Sequence, residues 1–573
     1  MAGAEMDVVS YLADLRARQQ RSWPRDVPRD VTYPLGEVPV TDHLRHWARH
    51  EPQRPAIVFY GREITYAELD EASDRFAGWL DGAGVRAGDR VGVLLPNCPQ
   101  FVIAMMGILK LGAVHVPVNP MFQQHELRYE LTDAGVEVLV ASTELVPLVE
   151  QIRAETPLRE VLATSPADLL PAEPALPLPE ALRTDATGSQ WSRVGASPRA
   201  ERREVDLDAL AALNYTGGTT GLPKGCEHTQ RHMLYTAVTA GAARPPRRSA
   251  EPDVYLCYVP IFWIAGEDMG ILVPLVHGGT VVLLARWDAT AVLDAVERYR
   301  VTDMIGTVDN YVELMEHPGF AARDLSSLDN ARSMSFVRKL TPDLRRRWAA
   351  AVGEHSVLRE ASYGMTETHT ADTITYGFSD DDRDLRSEPV FCGLPVPGTE
   401  FMVVDAESGE PVPIGERGAI AIRTPSLLTG YWNRPEASAE ALRDGWLRTG
   451  DVGMVDEDGC LHFLGRNKEM IKVSGMSVFP SEVEALLARH PEVLGVAVVP
   501  MPHRAKGQLP LAYVQPAPGT GLTAEALTGW ARENMASYKV PRFVLVPELP
   551  MTATGKIKKG DLLERAQRLA ESS

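Results

Sequence analysis

Short apolar, β-branched runs alternate with helical segments along the first part of the chain. Examples are Arg90 to Leu95, Val114 to Val118 and Val138 to Ala141. Continuous apolar runs are typical of strands that are buried on both faces, and such strands form parallel sheets covered by crossover helices. The sequence therefore predicts an α/β fold with parallel β-sheets flanked by helices.

The pattern changes after Gly465. Helix, strand, strand, helix and strand are predicted in turn over Ser481 to Arg489, Val493 to Val499, Leu511 to Gln515, Ala524 to Met535 and Phe543 to Val546. Because 573 residues are too many for one core, we predict a large domain over residues 1–467 and a small α+β domain over residues 468–573. The short polar junction from Arg466 to Met470 suits a hinge.

Two segments interrupt the regular pattern. Residues Ala154 to Val205 are rich in Pro, Ala and charge, which predicts a surface excursion. The longest apolar run, Phe101 to Val118, contains Lys110 and His115, so it favours a helix, a turn at Gly112 and a buried strand over a membrane span.

Charge and cysteine content restrict the partners and the compartment. The chain has 58 Lys and Arg against 77 Asp and Glu, a net charge of −19 that disfavours nucleic acid and anionic lipid. The five cysteines are scattered and fit neither a metal site nor a disulfide framework, which favours the cytoplasm. The amino terminus reads as a short amphipathic helix, not as a signal peptide.

The most specific motif is the string Y-T-G-G-T-T-G-L-P-K-G over Tyr215 to Gly225. Glycines let backbone amides approach phosphate oxygens, threonine hydroxyls add donors, and Lys224 supplies a fixed positive charge. The order differs from that of a Walker loop, since Pro223 precedes the lysine and a glycine follows it. We predict a triphosphate-binding loop and not an ordinary P-loop NTPase.

This string resembles the signature of the adenylate-forming superfamily, which includes acyl-CoA synthetases, peptide-synthetase adenylation domains and beetle luciferases. Four further segments match in the same order: Tyr363 to Glu367, Trp446 to Asp451, Gly465 to Lys472 and Pro550 to Lys556. The resemblance spans about Thr41 to Leu563. It implies a large domain of several subdomains that includes a small β-barrel, and a mobile carboxy-terminal domain that carries the catalytic lysine.

The resemblance also assigns roles to residues. The implied catalytic residues are Lys556, Lys224, Thr366 and Glu367, and Glu367 with Thr219 would hold Mg²⁺. The implied binding residues for ATP and coenzyme A are Thr216, Gly217, Gly218, Thr219, Thr220, Gly221, Lys224, Tyr363, Gly364, Thr366, Asp451, Arg466, Lys472, Ser474 and Gly475. Asp451 would accept hydrogen bonds from the ribose hydroxyls, Lys556 would bridge carboxylate and phosphate oxygens, and Lys468 would be the pivot of the hinge.

The predicted acid pocket departs from the family pattern. Many acyl-CoA synthetases have Pro, two apolar residues and His where this chain has Pro260 to Trp263, and we interpret Trp263 as a wall or gate. Two interpretations of Glu267 and Asp268 remain open, namely first-turn helix acids or groups that face a polar part of the substrate.

Bulkier residues replace the usual small-residue floor. The segment Ser335 to Leu340 includes Phe336 and two basic residues, so a long straight alkyl chain fits less obviously. The predicted pocket residues are Trp263, Glu267, Ser335, Phe336 and Gly364. His228 and His232 follow the phosphate loop, and we assign no histidine a role.

The sequence thus predicts an ATP- and Mg²⁺-dependent ligase that activates a fatty or aryl acid as its acyl-AMP and transfers the acyl group to coenzyme A. The absence of a carrier sequence after Ser573 favours coenzyme A as acceptor. The alternatives are loading of a carrier protein, or activation of nitrite for diazotisation of an arylamine. A binding protein that has lost catalysis is disfavoured, because both lysines and Glu367 are present. The resemblance also suggests a homodimer.

Overall fold

The computed structural model describes residues 8–182, 186–216, 222–335, 338–387, 390–474, 476–503, 506–552 and 556–571. Two mixed sheets flanked by helices, a third antiparallel sheet and a smaller fourth sheet follow one another along the chain. The predicted α/β class is therefore confirmed.

The helices cover the first two sheets and both faces of the fourth. Their bounds are α1 Val8–Ser22, α2 Val40–His50, α3 Tyr66–Gly82, α4 Pro99–Leu111, α5 Gln124–Ala134, α6 Val146–Ile152, α7 Ser192–Ala196, α8 Gln230–Ala242, α9 Ile264–Glu267, α10 Val273–His277, α11 Ala289–Tyr299, α12 Val308–Glu316, α13 Pro342–Val352, α14 Arg383–Arg386, α15 Pro435–Ala441, α16 Pro480–Leu487, α17 Ala524–Asn534 and α18 Lys559–Glu571. A π-helical segment, Asp268–Leu272, joins α9 to α10.

The strands up to the hinge build three sheets. Their bounds are β1 Pro55–Phe59, β2 Arg62–Thr65, β3 Arg90–Leu94, β4 Val114–Pro117, β5 Val138–Ser142, β6 Glu160–Thr164, β7 Leu210–Tyr215, β8 Gly225–Thr229, β9 Val254–Cys257, β10 Thr280–Leu283, β11 Asp303–Thr307, β12 Asn330–Met334, β13 Arg359–Glu360, β14 Thr373–Ile374, β15 Val390–Pro395, β16 Glu400–Val404, β17 Arg417–Arg423, β18 Leu442–Arg443, β19 Trp446–Val455 and β20 Leu461–Arg466.

The first two sheets are parallel except at one edge each. The order is β6-β5-β3-β4-β7-β8 in one and β13-β12-β11-β9-β10-β1-β2 in the other, with β8 and β2 running antiparallel to their neighbours. Helix α4 lies in the large core between them, with every residue buried. It ends at Gly112, whose φ of 74° is the left-handed conformation that glycine adopts without strain. The predicted helix, turn and strand are all present here.

The third sheet is antiparallel, with the order β14-β15-β20-β19-β17-β16, and β18 pairs with β19. It occupies the place predicted for the small β-barrel. The amino-terminal helix α1 buries Tyr11, Leu12 and Leu15 in the core of this sheet. The sheet carries the hairpin of β19 and β20, in which Asp451 lies opposite Arg466.

The fourth sheet follows the hinge and has cores of its own on both faces. Its strands are β21 Ile471–Val473, β22 Met476–Val478, β23 Val493–His503, β24 Gly507–Pro516 and β25 Arg542–Leu545. The order is β22-β21-β24-β23, with β25 parallel to β24. The predicted elements are present within a few residues, and the domain boundary between 467 and 468 stays a prediction.

One prediction was wrong in part. The segment Ala154 to Val205 is not only a surface excursion, because β6 pairs in parallel with β5 at the edge of the first sheet. A strand as short as Glu160–Thr164 carries too weak a pattern to stand out from the polar sequence around it. Among the described residues, no helix is long and apolar enough to cross a bilayer.

Candidate active site

The predicted phosphate loop connects β7 to β8 as the turn of an antiparallel hairpin. Tyr215 pairs with Gly225, and Thr216 closes the turn, since its Oγ1 accepts from Lys224 N at 3.1 Å while its own N–H donates to Lys224 O at 2.9 Å. The hairpin thus fixes the backbone of both ends of the loop. Gly217, Gly218, Thr219, Thr220 and Gly221 lie outside the described residues.

Lys224 and Glu367 meet on opposite ends of one tyrosine. The Lys224 ammonium lies 3.9 Å from the centre of the Tyr431 ring, and the Tyr431 hydroxyl donates to Glu367 Oε1 at 2.9 Å. Backbone bonds fix this arrangement, because Leu428 N donates to Glu367 O at 2.9 Å. The ring holds a cation and a carboxylate side by side without a direct ion pair, so both charges remain available to a ligand.

The second predicted signature forms a tight turn next to this group. A Cβ at Gly364 would lie 2.5 Å from Ala371 N, so only glycine fits there. Thr366 begins a short 3₁₀ helix, and His228 Nε2 lies 2.8 Å from its carbonyl oxygen. The turn is followed by three residues with positive φ, His369, Thr370 and Ala371, a conformation that costs energy outside glycine.

Tyr363, Asp451 and Arg466 form a connected set on the third sheet. The Tyr363 hydroxyl donates to Asp451 Oδ2 at 2.6 Å, and Arg466 Nε lies 3.3 Å from Asp451 Oδ1. Desolvation raises the pKa of the Asp451 carboxyl, and the Arg466 charge opposes that rise. Oδ1 accepts no hydrogen bond from the described residues. It therefore retains an acceptor for a ligand hydroxyl.

Lys556 is brought to the same place from the fourth sheet's side of the hinge. It is exposed, yet surrounding protein desolvates its ammonium group, and desolvation together with the positive charge of Arg466 lowers its pKa. A short turn holds the backbone, since Lys556 N donates to Thr552 Oγ1 at 3.0 Å. Two positive charges thus approach each other beside Asp451, an arrangement that favours an anionic ligand.

The hinge residues lie between the third and fourth sheets. Lys468 is exposed in the 3₁₀ helix Asn467–Glu469. Lys559 Nζ lies 3.3 Å from Glu469 and 2.9 Å from Glu484, which ties this helix to α18 and α16. Across the hinge, Arg417 Nη2 lies 3.3 Å from Glu482 Oε1. These contacts hold the arrangement in which Lys556 faces Arg466.

The residues predicted to meet coenzyme A lie on β21 and the turn after it. Lys472 Nζ donates to Ser477 Oγ at 2.8 Å, and Ser474 N donates to Lys506 O at 2.9 Å with a positive φ of 49°. Gly475 lies outside the described residues.

Glu267 and Asp268 are fully buried at the end of α9 and the start of the π segment. Both do stand in first helical turns, as one interpretation held, but neither is a solvated helix-end acid. Burial raises the pKa of Glu267 to about 8 and that of Asp268 well above its ordinary value. Glu267 Oε2 accepts from Asn214 Nδ2 at 3.1 Å, and its oxygens lie 3.9 Å from His115 Nε2 and from His369 Nε2.

The remaining pocket residues lie on two other elements. Trp263 is half-buried directly before α9, and its carbonyl accepts from Glu267 N at 2.7 Å. Ser335 donates from its hydroxyl to Glu360 and accepts from Leu340 N at 3.1 Å. Phe336 lies outside the described residues.

Comparison with known proteins places this site in a family. A sequence profile described as AMP-binding enzyme matches residues 44–432, and its carboxy-terminal companion, described as AMP-binding enzyme C-terminal domain, matches residues 482–556. The chain belongs to the AMP-binding enzyme family.

Curated relatives of this AMP-binding enzyme are ligases that use coenzyme A. A long-chain-fatty-acid–CoA ligase of Bacillus subtilis (strain 168) is 31% identical over 563 residues, covering 96% of this chain and 98% of the relative. A feruloyl-CoA synthase of Amycolatopsis sp. is 35% identical over 521 residues, covering 90% and 97%.

Solved structures agree with this placement. The anthranilate CoA ligase AuaEII in complex with anthranoyl-AMP has a TM-score of 0.80 at 28% identity, covering 95% of this chain and 99% of that one. The amide bond synthetase McbA from Marinactinospora thermotolerans has a TM-score of 0.77 at 27% identity, covering 92% and 100%. The predicted superfamily, fold and acid-activating ligase class are confirmed.

Sequence reasoning missed four residues of the AMP-binding enzyme's site. Tyr431 joins Lys224 to Glu367, and Asn214, His115 and His369 surround Glu267. These residues come from distant parts of the chain, so no spacing announces their meeting. An aromatic residue directly after Gly430 in a turn-rich stretch is the one local signal for Tyr431.

The residues fit a bound Mg²⁺ in one respect. Magnesium is usually held by one or two carboxylates together with substrate phosphates and water. Glu367 supplies one oriented carboxylate beside the phosphate loop, with Oε1 fixed by Tyr431. The described residues hold no cluster of three or more acidic, histidine or cysteine ligands, so most of the coordination sphere would have to come from the nucleotide and from water.

Proposed function

We propose that this enzyme uses ATP to activate an organic acid as its acyl-AMP, releases pyrophosphate, and transfers the acyl group to coenzyme A. The observation that carries the proposal is the approach of Lys556 to Arg466 and Asp451 across the hinge. A carboxylate that attacks a phosphate is repelled by negative charge, so fixed cations at the reacting oxygens lower the barrier. Relatives named as CoA ligases over more than 90% of their length support coenzyme A as acceptor.

The first half-reaction assigns each group of residues a task. The loop from Thr216 to Lys224 would hold the triphosphate, and Asp451 would accept from the ribose hydroxyls. Lys224 and Lys556 would offset charge as the acid oxygen bonds to the α-phosphorus and pyrophosphate leaves. Mg²⁺, held by Glu367 and Thr219, would neutralise phosphate oxygens when bound.

The second half-reaction uses the hinge. Residues 468–573 would rotate about Lys468, withdraw Lys556, and bring Lys472, Ser474 and Gly475 to the route of the thiol. The thiolate sulfur then attacks the acyl carbonyl, and AMP leaves with the bridging oxygen. Small charged contacts such as Arg417 with Glu482 suit such a switch, because exposed ion pairs contribute about 0–1 kcal/mol and are easily exchanged.

The enzyme is proposed to act in the cytoplasm on a small acid, and homodimerisation remains part of the proposal. An amine acceptor is the second candidate, because a neighbour with a TM-score of 0.77 is named an amide bond synthetase. Nitrite activation and carrier-protein loading are further acceptor arms of the test.

Pyrophosphate release across a panel of alkyl and aryl acids, with and without coenzyme A, tests the proposal. We expect AMP, pyrophosphate and an acyl-CoA in equal amounts with at least one acid. Product that forms only with an arylamine, with arylamine plus nitrite, or on a carrier protein would replace coenzyme A as acceptor. If no acid drives ATP to AMP, the proposed function is wrong.

A further inference from the structure

A buried polar cluster lies directly behind the nucleotide-binding residues. It consists of His115, Asn214, Glu267, Asp268 and His369, and each side chain is at most 3% exposed. Asn214 ends one residue before Tyr215 on β7, and His369 follows the 3₁₀ helix that begins at Thr366. The cluster therefore lies between the phosphate loop and the second signature, next to the predicted acid pocket.

The cluster has more polar atoms than partners. Eight of its side-chain atoms form no hydrogen bond with any described residue: both ring nitrogens of His115 and of His369, Asn214 Oδ1, Glu267 Oε1, and both carboxyl oxygens of Asp268. Buried polar groups in native proteins are nearly always hydrogen-bonded, and each one left without a bond costs about 1–3 kcal/mol. So many open valences in one place indicate a ligand group that the protein alone does not supply.

The backbone is built to hold the two acids in this position. A Cβ at Gly266 would lie 2.0 Å from Pro260 O, and one at Gly270 would lie 2.5 Å from Cys257 Sγ. The two glycines let this helical segment pack tightly on the 257–261 segment. The π turn between them starts at Asp268, and π turns inside helices are frequent at functional sites.

The chemistry of the open atoms selects a hydrogen-bond donor. Four of the eight are carboxyl or amide oxygens, which accept. The nearest cation with an effect on Asp268 is Arg332, which already lies 2.7 Å from Asp303. Burial keeps both imidazoles neutral by lowering the pKa of His115 and of His369 to about 3. A group with several N–H donors and a positive charge would satisfy this set.

We propose that the cluster recognises an amino group on the substrate, so that the enzyme's acid is an amino-substituted carboxylic acid and not a plain fatty acid. This inference rests on the proposed function. The Asp268 and Glu267 carboxylates would bind the ammonium, with Asn214 Oδ1 as a third acceptor. The cluster is closed to solvent, so the substrate would enter as a neighbouring side chain moves, and half-buried Trp263 is the residue placed to do so.

ATP–pyrophosphate exchange with matched acid pairs tests the inference. The pairs are the aminobenzoates against the methylbenzoates of equal shape, and aminohexanoate against heptanoate, with hydroxybenzoates as neutral donors. We expect the amino member of at least one pair to have a kcat/KM about 10- to 100-fold higher, the effect of one or two charged hydrogen bonds. Equal use of both members in every pair, or preference for the methyl or hydroxy member, would overturn the inference.

Variants locate the preference. Glu267→Gln and Asp268→Asn keep size but remove charge, and we expect each to raise KM for the amino acid about tenfold while the methyl acid reacts within about twofold of wild type. Glu130→Gln is the matched control, because Glu130 is a buried carboxyl with a raised pKa on α5, outside the cluster. A preference that survives both cluster variants would contradict the assignment.

The two levels of failure are separable. If acids are activated without any amino preference, the inference fails and the proposed function stands. If no acid in any pair supports exchange, the proposed function fails first. The wild-type preference does not depend on variant folding, so a misfolded variant does not protect the inference.

Discussion

The nucleotide side and the acid side of the site treat their carboxylates in opposite ways. Around the predicted nucleotide, Asp451 has Arg466 and Tyr363, and Glu367 has Tyr431. Around the predicted acid, Asp268 has no hydrogen-bond partner among the described residues, and Glu267 has only Asn214 at one oxygen.

This difference separates a general function from a particular one. Groups that stabilise charge in the transition state act best when they are oriented in advance, which requires protein partners. Groups that select a substrate can be left unsatisfied, because an incorrect ligand then leaves them unbonded. The nucleotide side is therefore prepared without ligand, whereas the acid side becomes satisfied only when its ligand binds.

The largest expected effect comes from removing the mobile cation of the nucleotide side. Lys556→Ala should lower adenylation about 100- to 1,000-fold, because an electrostatic stabiliser of the transition state is lost. Acyl-CoA formation from supplied acyl-AMP should stay within a few-fold of wild type. Pyrophosphate exchange and thioester formation measure the two halves separately.

Lys558→Ala is the control for that variant, because Lys558 is an exposed lysine two residues away. Loss of both half-reactions in Lys556→Ala, with normal activity in the control, would contradict the alternation of the two domains.

The next effect tests whether Asp451 holds the ribose. Asp451→Asn should raise KM for ATP about 10- to 100-fold, since charged hydrogen bonds contribute about 1.5–3 kcal/mol. Steady-state kinetics with varied ATP measures the change. Asp458→Asn, an exposed acid on the same hairpin paired with Arg383, should behave as wild type. An unchanged KM for ATP in Asp451→Asn would remove this residue from the site.

A smaller effect is expected at Tyr431. Tyr431→Phe keeps the ring under Lys224 but deletes the hydroxyl that orients Glu367. We expect adenylation to fall about tenfold, together with a higher Mg²⁺ concentration for half-maximal rate. Tyr376→Phe, whose hydroxyl donates to Asp26 at the surface, is the control. A Mg²⁺ dependence identical to wild type would show that Glu367 does not need this orientation.

The smallest effect sharpens the comparison from the acid side through pH. In the folded chain the Glu267 pKa is about 8, whereas its ordinary value is 4.5, so between these values the unfolded chain has lost a proton that the folded chain keeps. The free energy of unfolding therefore falls as pH rises through this window, by at most about 1.4 kcal/mol per pH unit.

Glu267→Gln removes this term. Denaturant unfolding without ligand at pH 5 and pH 8 should show that wild type loses stability relative to the variant as pH rises. A constant difference between the two proteins across this window would mean that Glu267 is not held neutral by burial.

The sequence predicted the parts of this molecule that are local. The strand runs from Arg90 onward, the turn at Gly112 and the elements after Gly465 follow from periodicity and turn residues, and the structure has them in place. The ordered signatures predicted Lys224, Glu367, Asp451 and Lys556, because each motif is contiguous.

What the sequence did not predict depends on long-range packing. Tyr431 reaches Glu367 across 64 positions, and Asn214 reaches Glu267 across 53. Burial of Glu267 and Asp268 also could not be foreseen, because acids in a first helical turn are ordinarily solvated. The close packing allowed by Gly266 and Gly270 places these two acids inside the protein instead.

The most direct measurement of the central claim follows one oxygen atom. The enzyme is incubated with ATP, coenzyme A and an accepted acid labelled with ¹⁸O in its carboxyl group, and the AMP is analysed by mass spectrometry. If the carboxylate attacks the α-phosphorus and the thiol then attacks the carbonyl, one ¹⁸O passes from each labelled acid into AMP. AMP without label, or ADP in place of AMP, would contradict the account.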